Sequence, residues 1–551
     1  MVNNVFTFLV GGKAGEGVKK AGSVVSHIFT RKGLQIFQMD DYMSLIRGGH
    51  NFSIISAATR WVSSHYMKAN LIVCFDKRSY DNHINHLAEN GIMVYNSDEK
   101  GNMKGVGIPL TSEAKNYPVK NLMFGVGAVA VLASAIGLKK EEMKLIIERE
   151  YSSGKEDNIS FANTIYEIVT PKLERKFQLT NGKKIRPILT GNEAISIGAI
   201  VGGLNVYYGY PMTPASSILH TLAKKADNFG LAVVHPENEI AVINMAIGSA
   251  FTGAKTMIGS SGGGFALMVE GFSLAGMTEA PILCVLSMRP GPATGVPTYT
   301  EQGDLKFALN AGHGEFLRII ASPGTISEAY YLSAEMLDIV WKFQIPGILL
   351  TEKHLSESSM TVDIDIEKTK WAEPKIFNNG NYKRYLDTKD GISPMLFPPS
   401  EEIIKWNSYE HDEFGITTEN PDLITKMHEK RYKKTKALID YLKSINTVNI
   451  YGDKGPLIFT YGSTTMSVLE ALRYGNIEAN VIQPVYLSPL PNWIFKKYRD
   501  DPAIVVELSL EGQFAALLKE KAGISIKTVI KQYNGRPFDP IELSKKIKEV
   551  L

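Results

Sequence analysis

The chain has 551 residues, too many for one hydrophobic core, so its length predicts three or four domains. Its 44% hydrophobic and 21% charged residues are the composition of an ordinary soluble globular protein. Sixty basic against 57 acidic side chains leave a net charge of +3, which gives no support for nucleic acid or a membrane as the main partner.

The opening MVNNVFTFLVGG has no basic n-region and no small-residue cleavage site, so it does not read as a signal peptide. Residues 5–10 read as a strand, followed by a glycine loop and a helix from Val18. A second apolar run, 71–75, ends at Asp76. This alternation predicts a small α/β domain with a largely parallel sheet over residues 1–178. The longest apolar stretch, 124–138, has 15 residues. A membrane span needs roughly 20, so a buried helix is expected there. Cys74 and Cys284 lie far apart without ligand spacing. Alone they build no disulfide framework, zinc site or iron–sulfur cluster, and a reducing cytoplasm fits them.

After a polar, basic linker, residues 187–357 repeat one unit in which a strand ends in a short loop that opens a helix. Run 205–210 leads into Pro211-Met212-Thr213-Pro214, run 255–259 into Ser260-Ser261-Gly262-Gly263-Gly264, and run 281–287 into Met288-Arg289-Pro290-Gly291. In open α/β sheets ligands sit at the carboxyl ends of strands, which makes these three loops the first place to look. Residues 358–446 turn charged and aromatic and read as a crossover, with a Lys-rich helix near 422–444. From 447 to 551 the α/β alternation returns, with strands at 457–461, 479–483 and 503–507 and a helix at 464–474.

Several residues in this frame suit chemistry, each with a plainer reading beside it. Gly11-Gly12-Lys13-Ala14-Gly15-Glu16-Gly17 follows a strand, but Val18 stands where a P-loop needs lysine and Lys20 where a dinucleotide fingerprint needs glycine. A tight turn feeding a helix, or an anion at that helix N-terminus, remains. In Ser44-Leu45-Ile46-Arg47-Gly48-Gly49-His50, Arg47 either meets an anionic ligand or is a solvated arginine on a hairpin turn. Thr213 either caps the next helix, with Pro214 at its first position, or presents its hydroxyl to a substrate carboxylate or carbonyl. Glu237 and Glu239 precede a helix at 240–252, where the dipole favours acids. A carboxylate desolvated there could also exchange a proton with a bound cofactor. Arg289, directly after an apolar strand, suits a bidentate clamp on a carboxylate.

Taken together, these residues resemble a known family. Gly191-Asn192-Glu193-Ala194, Tyr210-Pro211-Met212-Thr213-Pro214, Glu237-Asn238-Glu239-Ile240-Ala241, the segment RPGPATGVPTYTEQGDL from Arg289, and Tyr533-Asn534-Gly535-Arg536-Pro537-Phe538 resemble the α subunits of 2-oxoacid:ferredoxin oxidoreductases. The first domain resembles the γ component that many of these enzymes carry fused ahead of α. Departures are small: Met212 for isoleucine, Pro290 for glycine, Ala293 for serine and Gly303 for alanine.

The resemblance implies a multidomain α/β chain. A thiamine diphosphate pyrimidine-binding domain (187–357) lies between the γ-type domain and a transketolase carboxyl-terminal-like domain (447–551). It also implies decarboxylation of a 2-oxoacid to acyl-coenzyme A and CO₂ with reduction of ferredoxin, shared with a β subunit that carries the diphosphate, Mg²⁺ and an iron–sulfur cluster. By motif position Glu239 would bond the aminopyrimidine ring, Thr213 and Arg289 would hold the 2-oxoacid, and Arg47 would face the site from the coenzyme A side. The family's diphosphate motif, Gly-Asp-Gly followed further on by Asn, is absent; Gly452-Asp453-Lys454 breaks it. The fused γ–α order resembles the 2-oxoglutarate or broad-specificity branch, with Arg47 meeting a distal carboxylate. The competing readings are an indolepyruvate- or branched-chain-specific relative, and a non-catalytic assembly or nucleotide-binding regulatory subunit.

Overall fold

The computed structural model describes residues 4–44, 48–173 and 177–551, and its strands form three sheets. The first is built on β1 (Phe6–Lys13), β2 (Gln35–Asp41), β3 (His50–Ala58), β4 (Ala69–Cys74), β5 (Leu87–Asn96), β6 (Val106–Ile108) and β7 (Ile188–Thr190). Strands β6, β5, β4 and β1 run parallel, but β1 pairs antiparallel with β3, and β3 with β2. The sheet is therefore mixed, not largely parallel as the sequence predicts. The reason lies in β2 and β3, which bury polar residues that mask their strand character. Gln38 Nε2 donates to Asp40 Oδ1 at 2.9 Å, and Ser53 Oγ donates to the same oxygen at 2.7 Å. Side chains that bond one another across a hairpin can be buried without an apolar run to announce them. The apolar run at 124–138 lies largely in the helix Lys120–Ala135, buried from Met123 onward. No helix among the described residues is long and apolar enough to cross a membrane.

The second sheet comprises β8 (Val206–Gly209), β9 (Ala232–Val234), β10 (Thr256–Ser260), β11 (Ile282–Met288), β12 (Ile319–Ala321) and β13 (Gly347–Glu352). These six are all parallel in the order β12-β13-β11-β10-β8-β9. Their near-continuous apolar sequence follows from helices covering both faces. The chain then returns to the first sheet, where β14 (Ser359–Thr361) pairs antiparallel with both β2 and β7.

The crossover that follows has little regular structure until the helix Pro421–Leu442. The third sheet holds β15 (Val448–Tyr451), β16 (Leu457–Phe459), β17 (Asn480–Pro484), β19 (Ala503–Glu507) and β20 (Ile526–Lys531), while β18 (Tyr486–Ser488) crosses back to pair with β12. Strands lent in this way tie the three sheets to one another through backbone hydrogen bonds.

Candidate active site

Strands β8, β10 and β11 are neighbours, and their register sets Gly209 beside Gly259 and Ser260 beside Leu286. Their carboxyl ends therefore open side by side, and the three loops highlighted by the sequence converge there. The Pro211–Pro214 turn is pinned from below. Asn192 Nδ2 donates to Pro214 O at 2.8 Å and to Ser217 Oγ at 2.7 Å. Asn192 is itself set by the capping box of Thr190 and Glu193 that starts its helix. Thr213 is not a cap, because the next helix begins at Ser216 with Ala215 at its cap position and no side-chain bond there. Instead the Thr213 carbonyl accepts from Arg289 Nη1 at 2.8 Å.

Glu239 is the first residue of the helix Glu239–Phe251, and Asn238 caps that helix by accepting from Ala241 N at 2.9 Å. The amides are thus served by Asn238, and Glu239 turns inward, 4% exposed, while Glu237 stays exposed. Glu239 Oε1 is buried and meets no hydrogen-bond donor among the described residues. The same is true of Ser260 Oγ and Ser261 Oγ. A side chain at Gly264 would place its Cβ 2.5 Å from Glu239 Oε1, so glycine alone lets the loop lie against the carboxylate. Each unsatisfied buried polar group costs about 1–3 kcal/mol. A cluster of three at the mouth of a parallel sheet fits a polar ligand with complementary donors and acceptors.

Arg289 follows β11 and is partly buried, which lowers its guanidinium from the ordinary value while Asp304 opposes the shift. Asp304 is pushed up to about 6 by burial, with Arg289 pulling the other way. The Arg289–Asp304 loop folds back over β10, where Asp304 lies so close to Gly262 that any side chain at Gly262 would collide with its carboxylate. Met212 Sδ and Ala293 O approach the neighbouring Gly263. Thr213, Glu239 and Arg289 thus surround one glycine loop. Asp304, Ser260 and Ser261 complete the group, although the sequence singled out none of them as site residues. Asp304 lies in the quoted segment but carries no local pattern; only the fold-back of its loop brings it in.

Arg47 falls outside the described residues, between β2 and β3. Beside that hairpin lies a cavity of about 530 Å³ lined by Met39, Phe52, Arg78, Tyr299, Arg536 and Asp539 among others. Arg536 pairs with Asp41 at 2.7 Å and stacks its guanidinium 3.7 Å from the Tyr299 ring centre. Thr300 N donates to Gly535 O at 3.0 Å, so the last domain braces the loop that carries Arg289. In the glycine loop of the first domain, Glu16 Oε2 accepts from Lys13 N at 2.7 Å. The loop's own carboxylate thus takes up a backbone N–H that a bound anion could have used.

Comparison with known proteins converges on one group. A family model described as pyruvate flavodoxin/ferredoxin oxidoreductase, thiamine diP-bdg, matches residues 197–430. A second, pyruvate ferredoxin/flavodoxin oxidoreductase, matches residues 7–168. The chain is 30% identical to the 2-oxoacid:ferredoxin oxidoreductase subunit alpha of Sulfolobus sp, over 99% of this chain and 97% of that one. It is equally similar, at 30% and the same coverage, to subunit alpha of 2-oxoacid:ferredoxin oxidoreductase 1 of Sulfurisphaera tokodaii. Its structure superposes on the 2-oxoglutarate:ferredoxin oxidoreductase of Magnetococcus marinus, solved with 2-oxoglutarate, coenzyme A and succinyl-CoA bound, with a TM-score of 0.91, 26% identity and 99% of each chain covered.

Proposed function

The chain belongs to the family of 2-oxoacid:ferredoxin oxidoreductase α subunits, and from that premise we propose that it forms the oxoacid-binding half of a coenzyme A-dependent oxidative decarboxylase. The observation that carries this reading is the unpaired, buried Glu239 Oε1 beside Ser260 and Ser261. That set fits the aminopyrimidine of thiamine diphosphate, whose ring nitrogens and amino group both give and take hydrogen bonds. When bound, this cofactor supplies the carbon nucleophile and the electron sink that decarboxylation of a 2-oxoacid requires. Glu239, only 4% exposed, holds and exchanges a proton at Oε1. Gly264 permits the close approach. Arg289, with one arm fixed on the Thr213 carbonyl, offers the rest of its fork to the substrate carboxylate, and Thr213 lends its hydroxyl.

The other half of the site is proposed to come from a β subunit that carries Mg²⁺, the diphosphate contacts and the iron–sulfur cluster, with ferredoxin as acceptor. The chain lacks Gly-Asp-Gly, and its two cysteines are both buried and lie in different sheets. Exposed Ile240, Leu267 and Val296 lie in or next to the segments that carry Glu239, Gly264 and Arg289, and such apolar surface suits an apolar partner face. The 530 Å³ cavity, with Arg78 and Arg536 on its wall, is assigned to coenzyme A. The substrate is proposed to be 2-oxoglutarate or a broad set of 2-oxoacids, with Arg47 meeting the distal carboxylate.

The test is reconstitution with the β subunit and assay of 2-oxoacid- and coenzyme A-dependent ferredoxin reduction. The chain alone should be colourless and inactive. Broad visible absorbance from the single chain would contradict the division of labour. Equal turnover of 2-oxoglutarate by wild type and Arg47→Ala would remove the role given to Arg47.

A further inference from the structure

One wall of the coenzyme cavity carries groups that the chemistry above does not use. His50, His83 and His86 all line it, and they are joined in series. His50 Nε2 lies 2.9 Å from His83 Nε2, and His83 Nδ1 lies 3.1 Å from His86 Nδ1. The chain continues away from the cavity. His50 Nδ1 lies 3.3 Å from Ser79 Oγ, and Ser79 Oγ donates to Asp76 Oδ1 at 2.6 Å. The local fold sets this spacing. Asp76 caps the helix Lys77–His83, so Ser79 and His83 stand one turn apart on one face. The turn Ile84–His86 then returns His86 to His83, while His50 opens β3 beside them. Gly11 of β1 lies under the group, where an added Cβ would come 3.2 Å from Ser79 and 3.3 Å from His83.

Chemistry fixes the direction of every link. A carboxylate only accepts, so the Ser79 hydroxyl hydrogen is engaged by Asp76 and its oxygen accepts from His50 Nδ1–H. A neutral imidazole has one donor and one acceptor, so His50 Nε2 accepts from His83 Nε2–H, and His83 Nδ1 accepts from His86 Nδ1–H. His86 Nε2 is left as the free lone pair. A proton added to His50 or His83 would set two donors face to face, whereas His86 can take one at its free Nε2 without a clash. Burial pushes His83 down to about 3, with His50 and His86 adding to the effect. It also lowers His50, where Asp76 opposes and Arg78 assists, and His86, where Lys68 assists and Asp539 opposes. Among the described residues no group of three or more His, Cys, Asp or Glu side chains is arranged to hold a metal, so ligation does not explain the cluster.

We propose that His86, His83, His50, Ser79 and Asp76 form a proton relay that takes the proton of a thiol bound in the cavity and stores it on Asp76. The thiol rests on the coenzyme A reading above. In the transfer the S–H bond breaks and His86 Nε2 gains the proton. His86 Nδ1–H then passes to His83 Nδ1, His83 Nε2–H to His50 Nε2, His50 Nδ1–H to Ser79 Oγ, and the hydroxyl proton to Asp76 Oδ1. The products are a thiolate and a neutral Asp76 acid. Each imidazole has exchanged tautomer and stays uncharged, and no further reactant is needed. Asp76 Oδ2 lies 3.6 Å from the half-exposed Lys13 ammonium, which faces the carboxylate before the transfer.

The experiment uses the enzyme assembled with its β subunit and compares coenzyme A with desulfo-coenzyme A. Ser79→Ala cuts the relay behind the cavity wall, and Ser79→Thr keeps the hydroxyl. The expected result in Ser79→Ala is a thiol-dependent step slower by roughly 10²-fold, with the multi-proton solvent isotope effect of the wild-type step reduced. Ser79→Thr should restore both, and desulfo-coenzyme A should bind all three proteins within about twofold. Normal binding with an unchanged rate and solvent isotope effect in Ser79→Ala overturns the relay. His83→Gln provides a second cut should Ser79→Ala misfold. If filling the cavity with Asn82→Trp leaves desulfo-coenzyme A binding intact, the coenzyme lies elsewhere, and the proposal falls with that reading instead.

Discussion

Two glutamates, Glu239 and Glu279, are almost equally buried, at 4% and 2% exposed, yet their surroundings are opposite. Lys430 Nζ donates to both Glu279 oxygens at 2.6 and 2.7 Å, and Lys434 pairs with the same carboxylate. Arg384 closes the cluster by donating to the Thr278 and Glu279 carbonyls at 3.1 and 3.0 Å. Burial alone would raise the Glu279 carboxyl, but Lys430, Lys434 and Arg384 together hold it below the usual carboxylate range. Both Glu279 oxygens are answered by buried ammonium groups, and the group fastens the crossover helix Pro421–Leu442 to the end of the helix before β11. Glu239 keeps one oxygen unpaired at the mouth of the same sheet. Burial does not separate structure from function here. What separates them is whether the buried charge has been answered.

The most severe way to break this contrast is to remove each acid while keeping its shape. Glu239→Gln in the assembled enzyme should lower kcat by roughly 10²–10⁴, the range of an acid–base group, with the unfolding midpoint unmoved and cofactor affinity changed much less. The exposed Glu237→Gln is the control and should be mild. If the two substitutions exchange phenotypes, Glu237 is the functional acid. Glu279→Gln should do the reverse, because it leaves three buried cations facing a neutral amide. Its expected cost is about 3–5 kcal/mol of stability, the range for a broken buried pair, read from denaturant unfolding of the chain. A Glu279→Gln protein as stable as wild type would mean that the cluster does not fasten the crossover.

A smaller effect sharpens the functional side. Arg289→Lys keeps the charge but loses the planar fork, one arm of which already holds the Thr213 carbonyl. KM for the 2-oxoacid should rise about tenfold or more, about 1.4 kcal/mol of binding, with thiamine diphosphate affinity little changed. A KM within about twofold of wild type would assign the carboxylate clamp to another residue.

How much of this was legible in the sequence depends on whether partners are local. The strands ending at Gly209, Ser260 and Met288 announce themselves as apolar runs, so the loop bearing Thr213, the Ser260–Gly264 turn and the loop bearing Arg289 could be found from spacing, while Glu239 lies at the helix start after β9. The first sheet was half hidden. Its hairpin buries Gln38, Asp40 and Ser53 in mutual hydrogen bonds, and β7 and β14 join it from far along the chain. The Lys-rich helix read only as part of a crossover, yet Lys430 and Lys434 are buried on Glu279, a partner some 150 residues away that no helical period can reveal. Asp304 and the histidine series depend in the same way on loops and helices meeting in space.

Asp304 gives the smallest and most discriminating test, because it belongs to neither kind of buried acid. Burial raises its carboxyl from an ordinary 3.8 to about 6 and Arg289 only partly opposes, so near neutral pH it is ionised at a cost. The folded-state value lies above the unfolded one, so the native state binds the proton more tightly. This group's contribution to stability is therefore full below about pH 4 and is lost as pH rises towards 6 and above. Asp304→Asn should flatten that part of the profile and gain about 1–2 kcal/mol at pH 7. Function should follow the same sign. An ionised Asp304 competes with an anionic oxoacid for the field of Arg289, so wild-type KM should fall by a few-fold as pH drops through 6. In Asp304→Asn that dependence should vanish. If KM of the variant tracks wild type from about pH 5 to 7, Asp304 does not sense the substrate. It would then stand with Glu279 as part of the frame, and Glu239 would be left as the one acid at this mouth that the reaction uses.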